Sequence, residues 1–226
     1  MNFSLTERKQ MSIPELDTII DEVSKPKLVV LASRPAIGKT WFLLTMLRRI
    51  AVEENIPAGF ISLEMSGASI LLRLISLETM IPTELIKKKQ ISAEESIKMK
   101  EAAEKLSKAP IHVIDTPSMT IADIKDWIKH IVISQSAKIV FIDYLGLIQS
   151  SKNLLNKQKR QTEIVSILKS MVEEFGISII VSEQINRNLD NHQSQQYLKT
   201  FSDSADLVLL LDRESNEPVT NIIRVK

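Results

Sequence analysis

Short runs of apolar residues alternate along this chain with longer segments whose apolar positions recur every three or four residues. The short runs predict buried strands over 28–31, 58–63, 111–114, 138–143, 177–181 and 206–211, with a last strand over 221–225. The longer segments predict helices over 39–55, 66–80, 92–108, 120–136 and 161–175, and a short helix after Pro82. Strands that alternate with amphipathic helices are typical of an α/β fold with a mainly parallel sheet and helices on both faces.

The remaining segments are predicted connections. Residues 1–26 form a polar lead-in with a short amphipathic piece, which we expect to pack on the edge of the core, and 27–226 form the main domain. The stretch 186–200 shows no periodicity and is predicted to be a loop. A polar segment over 149–160 precedes the helix that ends near 175, and a turn is expected over 216–218.

Composition narrows the possible classes of protein. The chain has 226 residues, 44% of them hydrophobic, which suffices for one domain with a large core. A net charge of +1 gives no global basic field for nucleic acid, so any such contact must come from a local patch. The absence of cysteine excludes disulfides and thiolate metal sites, and the three histidines are scattered. No segment resembles a signal peptide or a membrane helix, so we expect a cytoplasmic protein without membrane contact.

The most informative stretch joins the first strand to the first long helix. Its Gly38-Lys39-Thr40 follows a buried strand and opens a helix, which is the context of a phosphate-binding loop. Backbone N–H groups and the positive end of the helix would receive the phosphates, Lys39 would reach the β- and γ-phosphates, and Thr40 would ligate Mg²⁺. The predicted nucleotide-binding residues are Ser33, Arg34, Pro35, Ala36, Ile37, Gly38, Lys39 and Thr40, with Ser33 where the usual pattern begins with glycine.

Polar residues at the carboxyl ends of the other strands are the candidates to complete such a site, because ligands bind at that edge of a parallel sheet. They are Glu64, Asp115, Asp143, Glu183 and Gln184. Asp143 could join the Mg²⁺ shell or simply cap a turn. Glu64 could deprotonate the attacking water or interact with the dipole of the following helix. Gln184 could contact the γ-phosphate or be a plain polar strand end.

Several motifs, in order, resemble the ATPase domain of the replicative DnaB-type DNA helicases. They are SRPAIGKT, Ser62-Leu63-Glu64-Met65, Phe141-Ile142-Asp143-Tyr144-Leu145, Gln184-Ile185-Asn186-Arg187 and Ser204-Ala205-Asp206. The resemblance covers about Pro14 to Lys226. It implies a RecA-like core that hydrolyses ATP with Mg²⁺ and works as a hexameric ring on single-stranded DNA, with primase or a loader as possible partners.

The resemblance also implies roles for particular residues. Glu64 would be the catalytic carboxylate, Asp143 the Mg²⁺-shell aspartate and Gln184 the γ-phosphate sensor, with Lys39 completing the catalytic set. Arg73 lies where the family commonly has an arginine after its Ser-Leu-Glu-Met motif. A basic cluster at the family's first DNA loop would bind phosphates of DNA, or would be a solvated loop. Its members are Lys152, Lys157, Lys159 and Arg160.

Some features depart from the family pattern. We expect this sequence to lack the family's N-terminal helical domain, the stretch 186–204 is short, and the trans-acting arginine is expected just beyond Lys226. Two alternatives therefore stay open. One is another RecA-like ATPase, such as a recombinase or a clock-type ring protein. The other is a nucleotide-binding regulatory or loader-like protein without helicase activity.

Overall fold

The computed structural model describes residues 14–149, 156–186, 188–212 and 221–226. Within these ranges the backbone forms seven strands and eight α-helices. The strands are β1 (Leu28–Ser33), β2 (Ala58–Ser62), β3 (Ile111–Ile114), β4 (Ile139–Asp143), β5 (Ser178–Gln184), β6 (Leu207–Asp212) and β7 (Asn221–Arg224). The helices are α1 (Pro14–Val23), α2 (Lys39–Arg48), α3 (Gly67–Thr79), α4 (Thr83–Lys87), α5 (Ala93–Lys108), α6 (Ile121–Gln135), α7 (Lys157–Phe175) and α8 (Asn191–Lys199).

The strands form one sheet in the order β3-β2-β4-β5-β1-β6-β7. Strands β1 to β6 pair in parallel, whereas β7 runs antiparallel to β6. The predicted α/β class with a mainly parallel sheet is therefore confirmed. The chain crosses from β1 to β2 over two intervening strands, and both sheet neighbours of β1, β5 and β6, come much later in the sequence. The carboxyl end of β1 is therefore a point where strand order switches, and ligands bind at such points in parallel sheets.

Helices cover both faces of the sheet because its central strands are apolar on both sides. In β1 all six residues are buried, and they alternate between two hydrophobic clusters: Val30 contributes to one and Leu31 to the other. Helices α6, α7 and α8 supply the first cluster. Helices α1, α2, α3 and α5 supply the second. The amphipathic piece of the lead-in, helix α1, thus packs into the core of the main domain.

Local sequence signals set most helix starts. The predicted capping box at Ser92 is present, since Ser92 and Glu95 exchange side-chain to backbone hydrogen bonds. Thr120 and Asp123 form another at the start of α6, and Ser66 caps α3. Helix α2 continues without a break into a π-helical turn over Arg49–Glu53.

Two predictions about the second half of the chain were wrong. The expected loop over 186–200 contains helix α8, whose start is fixed by a capping box between Asp190 and Gln193. Polar residues occupy most of α8, so the periodicity that marks a helix is weak there. Helix α7 begins at Lys157 rather than after Arg160, because the Asn156 side chain accepts hydrogen bonds from the backbone of Gln158 and Lys159. The turn predicted over 216–218 lies outside the described residues.

In the part of the chain that the structure describes, no helix has the length and apolarity needed to cross a membrane.

Candidate nucleotide-binding site

The loop between β1 and α2 has the backbone shape of a phosphate-binding loop. Gly38 immediately precedes α2 with φ of 107°, a conformation that side chains rarely tolerate, and its carbonyl accepts the first helical hydrogen bond, from Phe42. Ala36 also lies in the left-handed region, with φ of 66°. Two such residues within three positions curl the loop around the start of α2. In a loop of this kind, the backbone amides and the positive end of the helix dipole can bind the same anion.

Lys39 is the first residue of α2, and its side chain is buried at the carboxyl edge of the sheet. Its Nζ atom lies 3.9 Å from Asp143 Oδ1 and 4.4 Å from the centre of the Tyr144 ring. Burial lowers the pKa of Lys39, and the neighbouring carboxylates, Asp143 foremost, offset only part of this effect. The ammonium group has thus lost water without gaining a close ion pair, so an incoming anion would stabilise it.

Asp143 is the last residue of β4 and receives two hydroxyl groups. Thr40 Oγ1 donates to Asp143 Oδ2 at 2.7 Å, and Ser182 Oγ donates to Asp143 Oδ1 at 2.6 Å. Only 1% of Asp143 is exposed. The structure therefore brings together Lys39, Thr40 and Asp143, which the sequence analysis placed in one site. Ser182 was missed, because its approach depends on the pairing of β4 with β5.

The Thr40 and Asp143 oxygens suit a magnesium ion. Mg²⁺ holds its oxygen ligands at about 2.1 Å in an octahedron, which puts neighbouring ligands roughly 2.9 Å apart. The 2.7 Å between Thr40 Oγ1 and Asp143 Oδ2 is close to that spacing. Over the described residues, no group of three or more histidines, cysteines, aspartates or glutamates could hold a metal by itself. An ion here would need phosphate oxygens and water to complete its shell, as Mg²⁺ prefers.

Glu64 lies two residues beyond β2, in a tight turn at the same edge. Ser62 closes this turn, since its Oγ accepts from Met65 N at 3.1 Å and donates to Met65 O at 2.7 Å. The backbone of Leu63 donates to the carbonyl of Asp143 at 2.9 Å, which ties the turn to β4. Glu64 itself is exposed, and its charge acts on Lys39. Strand β2 pairs in parallel with β4, so this turn lies beside the end of β4.

Tyr144 forms the floor beneath Lys39, a contact that the sequence analysis did not anticipate. Its ring packs so closely on Gly146 that a Cβ atom there would lie 2.8 Å from Tyr144 Cε2. Burial raises the pKa of Tyr144, and the charge of Glu64 adds to this effect. The phenol therefore stays neutral and offers Lys39 its ring face. The peptide bond between Asp143 and Tyr144 is cis.

The ends of β1 and β5 lie side by side. Ser33 pairs with Gln184 in the sheet register, and Ser33 O accepts a hydrogen bond from Ile185 N at 2.9 Å. Gln184 is half-buried next to the phosphate-binding loop. Arg34 donates a hydrogen bond to the carbonyl of Leu189 at 2.9 Å.

Two polar residues that the sequence singled out have neighbours that suggest structural roles. Asp115, at the end of β3, accepts a hydrogen bond from Gly67 N at 2.7 Å and so helps to hold the start of α3. The guanidinium of Arg73 lies 5.5 Å from the centre of the Trp41 ring. Since Trp41 follows Thr40 directly, this contact braces the first turn of α2 from α3.

The predicted basic cluster is only partly described. Its member Lys152 lies outside the described residues, as does Arg187 of the motif that begins at Gln184, whereas Lys157, Lys159 and Arg160 fall in the first turn of α7. Lys159 is exposed and Arg160 is half-buried. Cations at a helix start add to the positive end of the helix dipole instead of offsetting it. These residues therefore lie at the start of a helix rather than in the loop that was expected.

Comparison with known proteins gives a consistent family. A sequence model of the DnaB-like helicase C terminal domain matches residues 10–221. A curated protein from Treponema pallidum, named replicative DNA helicase DnaB, is 29% identical over 215 residues. That alignment covers 93% of this chain and 49% of the relative. The chain thus spans about half the length of the curated relatives it matches.

Solved structures agree with this at the level of the fold. One solved structure, described as an ATPase domain, superposes with a TM-score of 0.79 at 21% identity, covering 96% of this chain and 92% of that one. A second, of a DnaB-like replicative helicase and its interactions with primase, gives a TM-score of 0.78 at 21% identity. It covers 92% of this chain and 59% of that one. The RecA-like fold expected from the motifs is confirmed.

Proposed function

This chain belongs to the family of DnaB-like helicase C-terminal domains, and from that premise we propose that it is the ATP-driven motor domain of a replicative DNA helicase. It would hydrolyse ATP and use the energy to move along single-stranded DNA. The observation that carries the proposal is the meeting of Lys39, Thr40 and Asp143 at the end of β1. Thr40 and Asp143 are 2.7 Å apart, and a poorly solvated ammonium lies beside them.

In this proposal the phosphate-binding loop and α2 bind the triphosphate. The backbone N–H groups of residues 33–40, other than Pro35, which has none, donate to phosphate oxygens at the start of α2, and Lys39 exchanges its distant carboxylate partner for the β- and γ-phosphates. Thr40 and Asp143 are the residues that would hold Mg²⁺. The ion, when bound, neutralises charge that develops on the phosphates.

Glu64 and Gln184 are the proposed partners of the γ-phosphate. Glu64 is an exposed carboxylate on a turn held by Ser62, so it can orient a water molecule and take its proton. Gln184 sits at the end of a strand bonded to the phosphate-binding loop, where an amide can contact the γ-phosphate. Because Gln184 lies next to β1, it would lose this contact when the γ-phosphate leaves and would so act as a sensor of that phosphate.

We assign the DNA contact to the first turn of α7. Lys157, Lys159 and Arg160 lie there beside the positive end of the helix, which suits the phosphates of a single strand. Lys152, the other member of the basic cluster, is proposed to share this role. Because these contacts involve phosphates, they carry no sequence preference.

We also propose an assembly, as the resemblance to the family implies. A ring of copies, as in a hexamer, would surround the DNA and place each ATP site near a neighbouring subunit. One solved relative is described with its interactions with primase, and we extend that partner, or a loader, to the full protein. No membrane contact is proposed.

The experiment that tests this function is ATP turnover with and without a thymidine oligonucleotide. We expect Mg²⁺-dependent turnover that the oligonucleotide stimulates, and Glu64→Gln should reduce it at least about 10²-fold, the scale of a lost general base. Joint replacement Lys159→Glu and Arg160→Glu should abolish DNA stimulation and DNA affinity while nucleotide affinity is kept. DNA affinity should also fall with salt, with a log–log slope of roughly −0.7 per phosphate contact.

The control for the charge reversal is Lys87→Glu with Lys88→Glu, an equal change in charge on exposed residues at the end of α4. This control should leave DNA stimulation intact. Equal losses in both double variants would mean that net charge matters and the first turn of α7 does not. Nucleotide binding without turnover, in a protein that binds no DNA, would favour the regulatory alternative instead.

A further inference from the structure

Glu183 is a buried glutamate at the end of β5 to which the proposed chemistry gives no role. Only 1% of Glu183 is exposed, and the same holds for Gln161 of α7, which contacts it. Gln161 Nε2 donates to Glu183 Oε1 at 2.8 Å. Burying a carboxylate and an amide together costs free energy unless each is held in a defined arrangement.

Tyr197 of α8 completes this arrangement. Its hydroxyl lies 2.7 Å from Gln161 Oε1 and 2.9 Å from Glu183 Oε1, and its proton is donated to these two oxygens. Burial raises the pKa of Tyr197, and the charge of Glu183 adds to the shift, so the hydroxyl remains protonated. The ring packs edge-on against buried Phe201, with centroids 5.2 Å apart, which fixes its direction. One hydrogen-bonded cluster therefore joins α7, β5 and α8.

The alternation of side chains along β5 connects this cluster to the nucleotide site. Ile179 and Val181 face the cluster of α6, α7 and α8, whereas Ile180 faces the side of α2. Continuing the alternation, Glu183 points toward α7 and α8, and Gln184 points toward the phosphate-binding loop. Ser182 shares the second side and bonds Asp143. Holding Glu183 thus fixes a backbone segment whose other face reaches the nucleotide.

Gln161 directly follows Arg160, the last residue of the basic cluster, so it links the proposed DNA contact to Glu183. We propose that Gln161 and Tyr197 are positioning residues that hold Glu183 and thereby set where Gln184 lies relative to the γ-phosphate. A displacement of the first turn of α7 by bound DNA would pass through Gln161 to that position. This inference rests on the proposed function, because it takes Gln184 to contact the γ-phosphate.

The test compares affinities for ADP and for a non-hydrolysable ATP analogue, AMP-PNP, in the presence of Mg²⁺. The ratio of the two affinities reports the γ-phosphate contact and requires no turnover. Tyr197→Phe keeps the ring on Phe201 and removes only the hydroxyl. We expect it to lower the preference for AMP-PNP about fivefold, the scale of one lost hydrogen bond, while ADP affinity changes little.

A double-mutant cycle with Gln184→Ala gives the decisive readout. If Tyr197 acts through Gln184, Tyr197→Phe should have no further effect on the preference once Gln184 is replaced. Ser178→Ala is the matched control: it removes a buried hydroxyl from the opposite end of β5, where Ser178 bonds the carbonyls of Val23 and Lys25. This control should leave the nucleotide preference unchanged.

The inference would be overturned if Tyr197→Phe lowered the preference for AMP-PNP as much in the Gln184→Ala protein as in wild type. Equal losses of ADP and AMP-PNP affinity in Tyr197→Phe would also overturn it. A wild-type protein that binds neither nucleotide would overturn the proposed function, and the inference with it. One that binds both equally would overturn the inference together with the γ-phosphate contact assigned to Gln184, while Mg²⁺-dependent ATP turnover stimulated by DNA would still support the motor function. If Tyr197→Phe does not fold, Gln161→Met, of similar shape, removes the other donor and should give the same loss of preference.

Discussion

The two ends of the sheet each place an aspartate beside a lysine, and the two pairs are built differently. At the carboxyl end Lys39 Nζ stays 3.9 Å from Asp143, although their side chains are only 9% and 2% exposed. At the amino end Lys169 Nζ lies 2.9 Å and 3.0 Å from the two oxygens of Asp206, with side chains 27% and 31% exposed. The more deeply buried pair is thus the looser one.

Burial alone would favour the opposite arrangement, because charges removed from water need close partners. Asp206 meets that need: it also accepts a hydrogen bond from Leu28 N at 2.7 Å and so ties α7 and β6 to the start of β1. Asp143 instead receives two hydroxyl groups, and Lys39 rests on the Tyr144 ring. At the amino end of the sheet, the charged groups are closely paired within the protein. At the carboxyl end, Lys39 is placed to receive a ligand that brings negative charge.

The largest expected effect separates the two lysines. Lys39→Met keeps the length of the side chain and removes its charge, so nucleotide turnover should fall at least about 10²-fold, the scale of a lost electrostatic donor to the transition state. The free energy of unfolding should not decrease, because burial already disfavours the charged form of Lys39. ATP turnover assays and urea unfolding measure the two quantities.

Lys169→Met is the matched substitution at the other end. It should lower the free energy of unfolding by about 1 kcal/mol, discounted for partial exposure, and leave turnover unchanged. If Lys169→Met lost turnover while Lys39→Met kept it, the assignment of the two ends would be reversed.

Much of this architecture could be predicted from the sequence because it depends on local signals. Buried strands appear as apolar runs, helix starts as capping residues such as Ser92 and Thr120, and the phosphate-binding loop as Gly38-Lys39-Thr40 after a strand. The order of strands in the sheet and the antiparallel β7 left no such signal, since they depend on which distant segments pack together.

The parts of the site that could not be predicted depend on register between distant strands. Ser182 bonds Asp143 only because β4 and β5 are neighbours, and Glu183 meets Gln161 and Tyr197 only after α7 and α8 have packed. Helix α8 was missed because Leu198 is its one fully buried apolar residue among those described. Its capping pair, Asp190 and Gln193, was nevertheless visible in the sequence.

An effect smaller than that of Lys39→Met is expected from Asp206→Asn, which tests whether the amino end is purely structural. Burial raises the pKa of Asp206, but hydrogen bonds from Leu28 and Lys169 outweigh it and leave the pKa below the ordinary value of 3.8. The substitution keeps one acceptor oxygen and removes the charge. At pH 7 we expect it to lower the free energy of unfolding by about 1–2 kcal/mol without changing nucleotide affinity.

The sign of the pKa shift fixes how this difference depends on pH. A carboxyl group whose pKa is lowered by folding adds stability above its unfolded pKa, and that stability is lost as pH falls through the folded pKa. The gap between wild type and Asp206→Asn should therefore be constant from pH 7 to about 5 and shrink below about pH 4. A gap that grew on acidification would show that the charge of Asp206 does not stabilise the fold.

The smallest expected effect compares two serines on the same strand, one at each end of β5. Ser182 donates to Asp143 at 2.6 Å, so Ser182→Ala should raise the Mg²⁺ concentration needed for half-maximal turnover about three- to tenfold, since one hydrogen bond orienting the carboxylate is lost. Ser178 donates at 2.7 Å to the carbonyl of Val23, so Ser178→Ala should instead lower the free energy of unfolding by about 1 kcal/mol and leave the Mg²⁺ dependence unchanged. Both side chains are buried hydroxyls in one strand, so composition and burial are matched and only the end of the sheet differs. An equal shift of the Mg²⁺ dependence in both variants would mean that a change at either end of β5 affects the nucleotide site. The proposed division between a structural amino end and a ligand-binding carboxyl end would then be wrong.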